Sequence, residues 1–153
     1  MTSSAHTPAA SFSLTLEWPT PSRRLRLALA AIELAVAIPA LPSGVGLIRD
    51  GMGLDTAWID HTLLPDYTVP GLLLLVVIGG GMALAAAAAL GRPRLALPAA
   101  VAMGLILLAW LAIETLMIGW HGGPQLGLDL IYGALGVCLV AAGLRHVRVR
   151  SSG

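Results

Sequence analysis

Pro70–Leu90 reads PGLLLLVVIGGGMALAAAAAL and carries no charged side chain. At about 1.5 Å per residue, a helix of this length runs roughly 31 Å, the thickness of a bilayer's hydrocarbon core. Of the chain's 153 residues, 57% are apolar and only 11% charged. A soluble fold of this size could not cover so much apolar surface with so few charges, so Pro70–Leu90 is read as a membrane span.

Three more apolar runs flank it. Leu27–Ile48 lies between Arg26 and Arg49 and holds one charge, Glu33, with two prolines, Pro39 and Pro42. Leu95–Gly119 holds one charge, Glu114, and Leu126–Leu144 holds Asp129 near its start. The expected fold is an all-α membrane protein, a bundle of four transmembrane helices over residues 23–150, preceded by a disordered cytoplasmic tail over 1–22. Proline removes a backbone donor, so the first span is expected to kink or end early at Pro39 and Pro42.

Orientation follows from the arginines. The chain has no lysine, and eight of its nine arginines fall on one side of the spans: Arg23, Arg24, Arg26, Arg92, Arg94, Arg145, Arg148 and Arg150. Arg49 alone is on the other side, with Asp50, Asp55, Asp60 and Asp66. Positive flanks stay cytoplasmic, so both termini read as cytoplasmic and residues 49–69 as an outer loop. Ser22-Arg23-Arg24-Leu25-Arg26-Leu27 resembles a twin-arginine export signal, with Ala35-Val36-Ala37 as a cleavage-like site. The full-length span behind it reads instead as an uncleaved anchor. The localisation expected is a bacterial plasma membrane, multi-pass, with the lipid bilayer as the main partner.

The outer loop has signals of its own. Asp50-Gly51-Met52-Gly53 is a turn. Asp55 can cap a helix starting at Thr56. Leu54, Ala57, Trp58 and Leu64 then share a face, which predicts a short interfacial helix with Trp58 among the headgroups. Tyr67 is a second anchor, and Pro70 suits a helix start.

Leu64-Pro65-Asp66-Tyr67-Thr68-Val69-Pro70-Gly71-Leu72-Leu73 resembles the re-entry motif of small bacterial four-span membrane proteins. Ile118-Gly119-Trp120-His121-Gly122-Gly123-Pro124-Gln125 resembles their outer turn between spans three and four. More loosely, the chain is similar to DoxX-like four-span proteins. The resemblance implies architecture and no particular activity.

Small residues predict helix contacts. Gly79, Ala83, Ala87 and Gly91 recur every four residues on span two and form the expected packing row. Gly81, Ala85 and Ala89 form a second row, and Gly133, Val137 and Ala141 a looser seam. These rows serve packing within the bundle, or contact with a second copy or another membrane protein. Ala31-Ile32-Glu33 recurs as Ala112-Ile113-Glu114, though Glu33 stands about 10 Å above Arg26 and Glu114 about 30 Å above Arg94 along their helices.

The intramembrane carboxylates are the main functional hint, because such groups are costly and face a cavity or a partner. Trp110, Glu114, Met117 and His121 fall on one helical stripe leading outward, a candidate ligand site. The alternative is a hydrogen-bonded Glu114 tying helices together. Glu33 is expected to pair with Arg26 or another inner arginine, and Asp129 to sit as a first-turn charge favoured by the helix dipole. Asp50, Asp55, Asp60, His61 and Asp66 match no metal template and read as solvated loop charges. Cys138 is a lone thiol and is expected as a small buried filler. With a net charge of +1, no basic face exists for nucleic acid. No phosphate loop or catalytic motif is present, so an enzyme is not expected, and neither a cofactor nor a metal is implied. The leading expectation is a structural or accessory membrane protein. The alternative is binding or transport of a small hydrophobic or weakly basic ligand in an outward-facing pocket around Glu114. A cavity lined by Trp110, Glu114 and His121 would favour the alternative, and a dry Glu114 with no cavity the leading expectation.

Overall fold

The computed structural model describes residues 13–60, 62, 64–118 and 124–152. His61, His121 and the rest of the turn between the last two spans lie outside them, as do residues 1–12. Four segments are long and apolar enough to cross a membrane: Arg23–Gly53, Thr68–Gly91, Pro93–Met117 and Leu126–Leu144.

Helix α1 runs Arg23–Asp50. Ser22 caps its start, its Oγ accepting from the Leu25 N–H at 3.3 Å, which satisfies one of the first-turn donors. Gly51 ends it in the left-handed conformation at φ 65, its N–H donating to the Leu47 carbonyl. The helix continues through both Pro39 and Pro42, so the early end expected there does not occur. Packing along most of α1 by the second span holds the helix together across the missing donors.

The second span has three parts: α2 (Thr68–Leu72), a π-helical stretch (Leu73–Gly80) and α3 (Gly81–Gly91). Helix α4 runs Pro93–Ile118 and α5 runs Pro124–Leu144. Strand β1 (Ser13–Glu17) pairs antiparallel with β2 (Arg148–Ser152), with Glu17 opposite Arg148. Residues 13–17, expected within a disordered tail, thus form one edge of a ribbon that joins the two ends of the described chain.

Packing is sequential. α1 lies on the whole second span, α3 lies on α4, and α4 lies on α5, while α5 scarcely meets α1. Glycines set the closest approaches. A Cβ at Gly44 would stand 2.7 Å from the Leu75 backbone nitrogen, and one at Gly104 would stand 2.8 Å from the Gly136 carbonyl. Such contacts are how helices associate in lipid, where tail and side chain are equally apolar. Large apolar side chains, among them Leu84, Leu116 and Ile38, point away from the bundle.

The predicted packing row is only partly inside. Gly79 packs on Leu41, and Ala83 is half-buried. Ala87 is exposed, and Gly91 is exposed with open space around it. Every fourth residue drifts about 40° around an α-helix, so three steps carry the row off the contact face. The actual seam alternates steps of three and four through Ile78, Met82, Ala85, Ala86 and Ala89, all buried. Cys138 is exposed on α5, not the buried filler expected. The inward stripe of α5 runs instead through Gly136, Leu139 and Gly143.

The loop between the first two spans is tighter than expected. The capped segment is a single 3-10 turn, Thr56–Trp58, with no longer helix behind it. Asp55 does cap it, its Oδ1 accepting from the Ala57 N–H at 2.9 Å. Asp50 and Asp66 do the same for Met52 and Thr68. Three of the loop carboxylates therefore shape the backbone rather than merely face solvent.

Candidate functional site

Because α5 leans on α4 and leaves α1, a gap opens between them. It is a cavity of about 330 Å³. α1 contributes Val36, Pro39, Ala40 and Ser43; the second span contributes Leu74 and Ile78. α4 contributes Leu107, Trp110, Leu111 and Glu114, and α5 contributes Leu128, Asp129 and Tyr132. Met52 and Leu54 close the loop end.

Each polar group arrives there by helix phase. Trp110 and Glu114 are one turn apart, and the Trp110 indole N–H faces the Glu114 carboxyl group. Asp129 and Tyr132 are three apart and continue into the inward stripe Gly136, Leu139 and Gly143. Asp129 is the sixth residue of α5, so it lies beyond the first turn where it was expected as a dipole charge. It stands close enough to Glu114 for the two carboxylates to repel. The site therefore holds two acidic groups and two aromatic rings in an apolar chamber.

The predicted stripe divides. Trp110 and Glu114 line both this cavity and a smaller one of about 40 Å³ beside Ile59, Tyr67 and Pro70. Met117 lines only the smaller one. His121 lies outside the described residues. Tyr67, 3% exposed, seals the loop over this corner, its hydroxyl donating to the Asp55 carbonyl at 2.8 Å. Burial and the charges of Asp55 and Asp60 push its phenol pKa up. Asp66 next to it is held below the usual carboxylate range, chiefly by the Thr68 N–H and then by the Thr68 hydroxyl.

Two contributors carried no clear sequence signal. The π-helical stretch swings Leu74 and Ile78 onto the cavity wall, and such stretches concentrate at functional sites. Met52 takes φ 55 between Gly51 and Gly53, both also left-handed. A non-glycine residue held there is strained, and its side chain folds back against Gly46 and the cavity.

Glu33 is elsewhere. It is 0% exposed in the core, and neither carboxyl oxygen has a hydrogen-bond partner. The expected pair with Arg26 does not form, and Arg26 Nε is likewise buried without a partner. The two are seven residues apart, about 10 Å of rise. Helix side chains on one helix tilt the same way, so the tilt does not close that gap. The repeated Ala-Ile-Glu triplets accordingly place their glutamates in unlike settings. Among the described residues, no group of three or more His, Cys, Asp or Glu could hold a metal.

The arrangement can hold a cation with an apolar body. Carboxylates supply charge, aromatic faces attract cations, and the aliphatic walls exclude water. Comparison with protein-family models, curated proteins and solved structures finds no match for this chain, so the site is read from its own geometry.

Proposed function

We propose that this protein is a multi-pass protein of a bacterial plasma membrane that binds a small lipophilic cation, a protonated amine or quaternary ammonium, in the cavity between α1, α4 and α5. The observation that carries the reading is Glu114 and Asp129 sharing one apolar chamber with Trp110 and Tyr132. A purely structural or accessory role does not call for two carboxylates facing one space, where their repulsion costs stability.

In this reading both termini are cytoplasmic, supported by the side on which eight of nine arginines fall. The Thr56–Trp58 turn then lies at the outer surface, with Trp58 at headgroup level, and the cavity is reached from outside. Kinship with small four-span bacterial membrane proteins, loosely DoxX-like, belongs to the same proposal and adds no activity to it.

The test is calorimetric titration of the purified protein in lipid nanodiscs with phenyltrimethylammonium, a permanent cation. A cation about 4 Å from one carboxylate gains roughly 4 kcal/mol at an effective dielectric of 20. Even heavily offset by desolvation, removing that charge by Glu114→Gln or Asp129→Asn weakens binding at least about tenfold, or 1.4 kcal/mol. No binding to the unmodified protein, or unchanged binding in the double variant, rejects the reading in favour of a structural role.

A further inference from the structure

Glu33 lies directly beneath the cavity. It precedes Val36 by three residues and Ala40 by seven, and both line the chamber. Glu33, Val36 and Ala40 are all buried on one face of α1. Glu33 itself is sealed off, fully buried with both oxygens unpartnered. Among the described residues, no neighbour neutralises it. The second span offers no titratable side chain between Thr68 and Gly91. α4 offers only Glu114 between Leu95 and Ile118, and α5 offers Asp129, Tyr132 and the outward Cys138. On α1 the nearest cation is Arg26, two turns away. Arg94 lies in the first turn of α4, and Arg92, Arg145 and His146 stand beyond the helix ends.

We propose that Glu33 is a proton site coupled to the cavity, so that the proton on Glu33 and a cation in the chamber exclude one another and the protein exchanges one for the other. The inference rests on the cation-binding reading above. A fully buried carboxyl group with no protein donor at its oxygens persists as the neutral acid, because burying an isolated charge is prohibitively costly. A cation held in the chamber stands above Glu33 across an apolar interior that screens its charge little, and so favours loss of the proton. The step balances: the carboxylic acid becomes carboxylate, the proton leaves to water, and one positive charge replaces another. By linkage, the carboxylate in turn strengthens cation binding.

The experiment uses the full chain in nanodiscs with phenyltrimethylammonium. The first readout is the dependence of binding on pH. Displacement of one proton per cation raises the binding constant up to tenfold per pH unit, and Glu33→Gln flattens that slope while binding remains. The second readout is the infrared carbonyl band of a protonated carboxylic acid, which adding the probe should bleach in the unmodified protein and not in Glu33→Gln. Should Glu33→Gln fail to fold, Glu33→Asp identifies the same band by shifting it. Binding with no bleached acid band, or with the same band and slope in Glu33→Gln, overturns the coupling and leaves the cation site standing. Failure of the probe to bind the unmodified protein overturns both.

Discussion

Gly44→Ala tests the frame that holds the cavity open. Gly44 sits where α1 crosses the second span, immediately after the cavity residue Ser43. A Cβ there would stand 2.7 Å from both the Leu75 Cβ and the Leu75 backbone nitrogen, and 2.8 Å from the Gly71 carbonyl oxygen. Two of these are backbone atoms, which no rotamer change can move. The contact is reciprocal, since a Cβ at Gly71 would stand 2.9 Å from the Gly44 carbonyl. Relief requires the two spans to part by several tenths of an ångström. Overpacking of this kind costs about 1–3 kcal/mol, and alanine's better helix propensity returns up to about 1 kcal/mol. The net expectation is a loss of about 1–2 kcal/mol. Gly127→Ala on α5 is the control, because nothing lies within 4 Å of the new methyl. It should be neutral or gain up to about 1 kcal/mol. Thermal unfolding in one detergent reads both variants. Gly44→Ala at least as stable as Gly127→Ala would refute the close crossing and the cavity wall built on it.

Ala86→Leu should destabilise by about 1–3 kcal/mol by overpacking a buried site, while Ala87→Leu on the exposed side of the same helix should be tolerated; equal thermal midpoints would put the seam elsewhere. Tyr67→Phe removes the hydroxyl bond to Asp55 and should cost about 1 kcal/mol in the same assay. Because the Tyr67 pKa is raised in the folded protein, its contribution is present at neutral pH and lost as pH rises through the folded value; Tyr67→Phe should flatten the alkaline limb of the stability curve. Asp66 has the opposite sign. Its depressed pKa gives a contribution present above its unfolded pKa of roughly 4 and lost as pH falls through the folded value, so thermal midpoints measured from pH 6 to 3 should fall more steeply in the unmodified protein than in Asp66→Ala.

The four spans were legible because a bilayer demands about 20 apolar residues in a row, and this requirement is local. The Asp55 cap was legible for the same reason, being a contact between neighbours. The failures arose where phase accumulates along a helix. The glycine-alanine row from Gly79 fits a spacing of four by eye, but the helix turns 40° with each step and carries Ala87 and Gly91 outward. Asp129 looked like a helix-start charge from its place in the chain. Only its phase with Gly136, Leu139 and Gly143 turns it onto α4 and Glu114. The π-helical stretch has no signature in a run of Leu and Val, and without it Leu74 and Ile78 cannot be assigned to the wall. Trp110 and Glu114 were found because one stripe on one helix suffices to join them. Tyr132 and Ser43 were missed because their meeting with Glu114 depends on how three helices cross.

The chain places three carboxylates among apolar helices, and among the described residues no cation is paired with Glu33. Arg26 is two turns from Glu33, and the other arginines on that side of the spans lie at or beyond the helix ends. A glutamine or leucine in any of the three places would hold the bundle at less cost, since burying ionic groups rarely improves on apolar packing. Glu114 and Asp129 face each other across a chamber with aromatic walls, where a positive body relieves their repulsion. Glu33 lies one turn deeper on the face of α1 that forms the chamber's wall, and it feels whatever charge enters there. On the reading proposed above, a cation from outside the chain completes this electrostatic arrangement: its binding accounts for the acidic chamber, and a proton accounts for Glu33 when the chamber holds no cation.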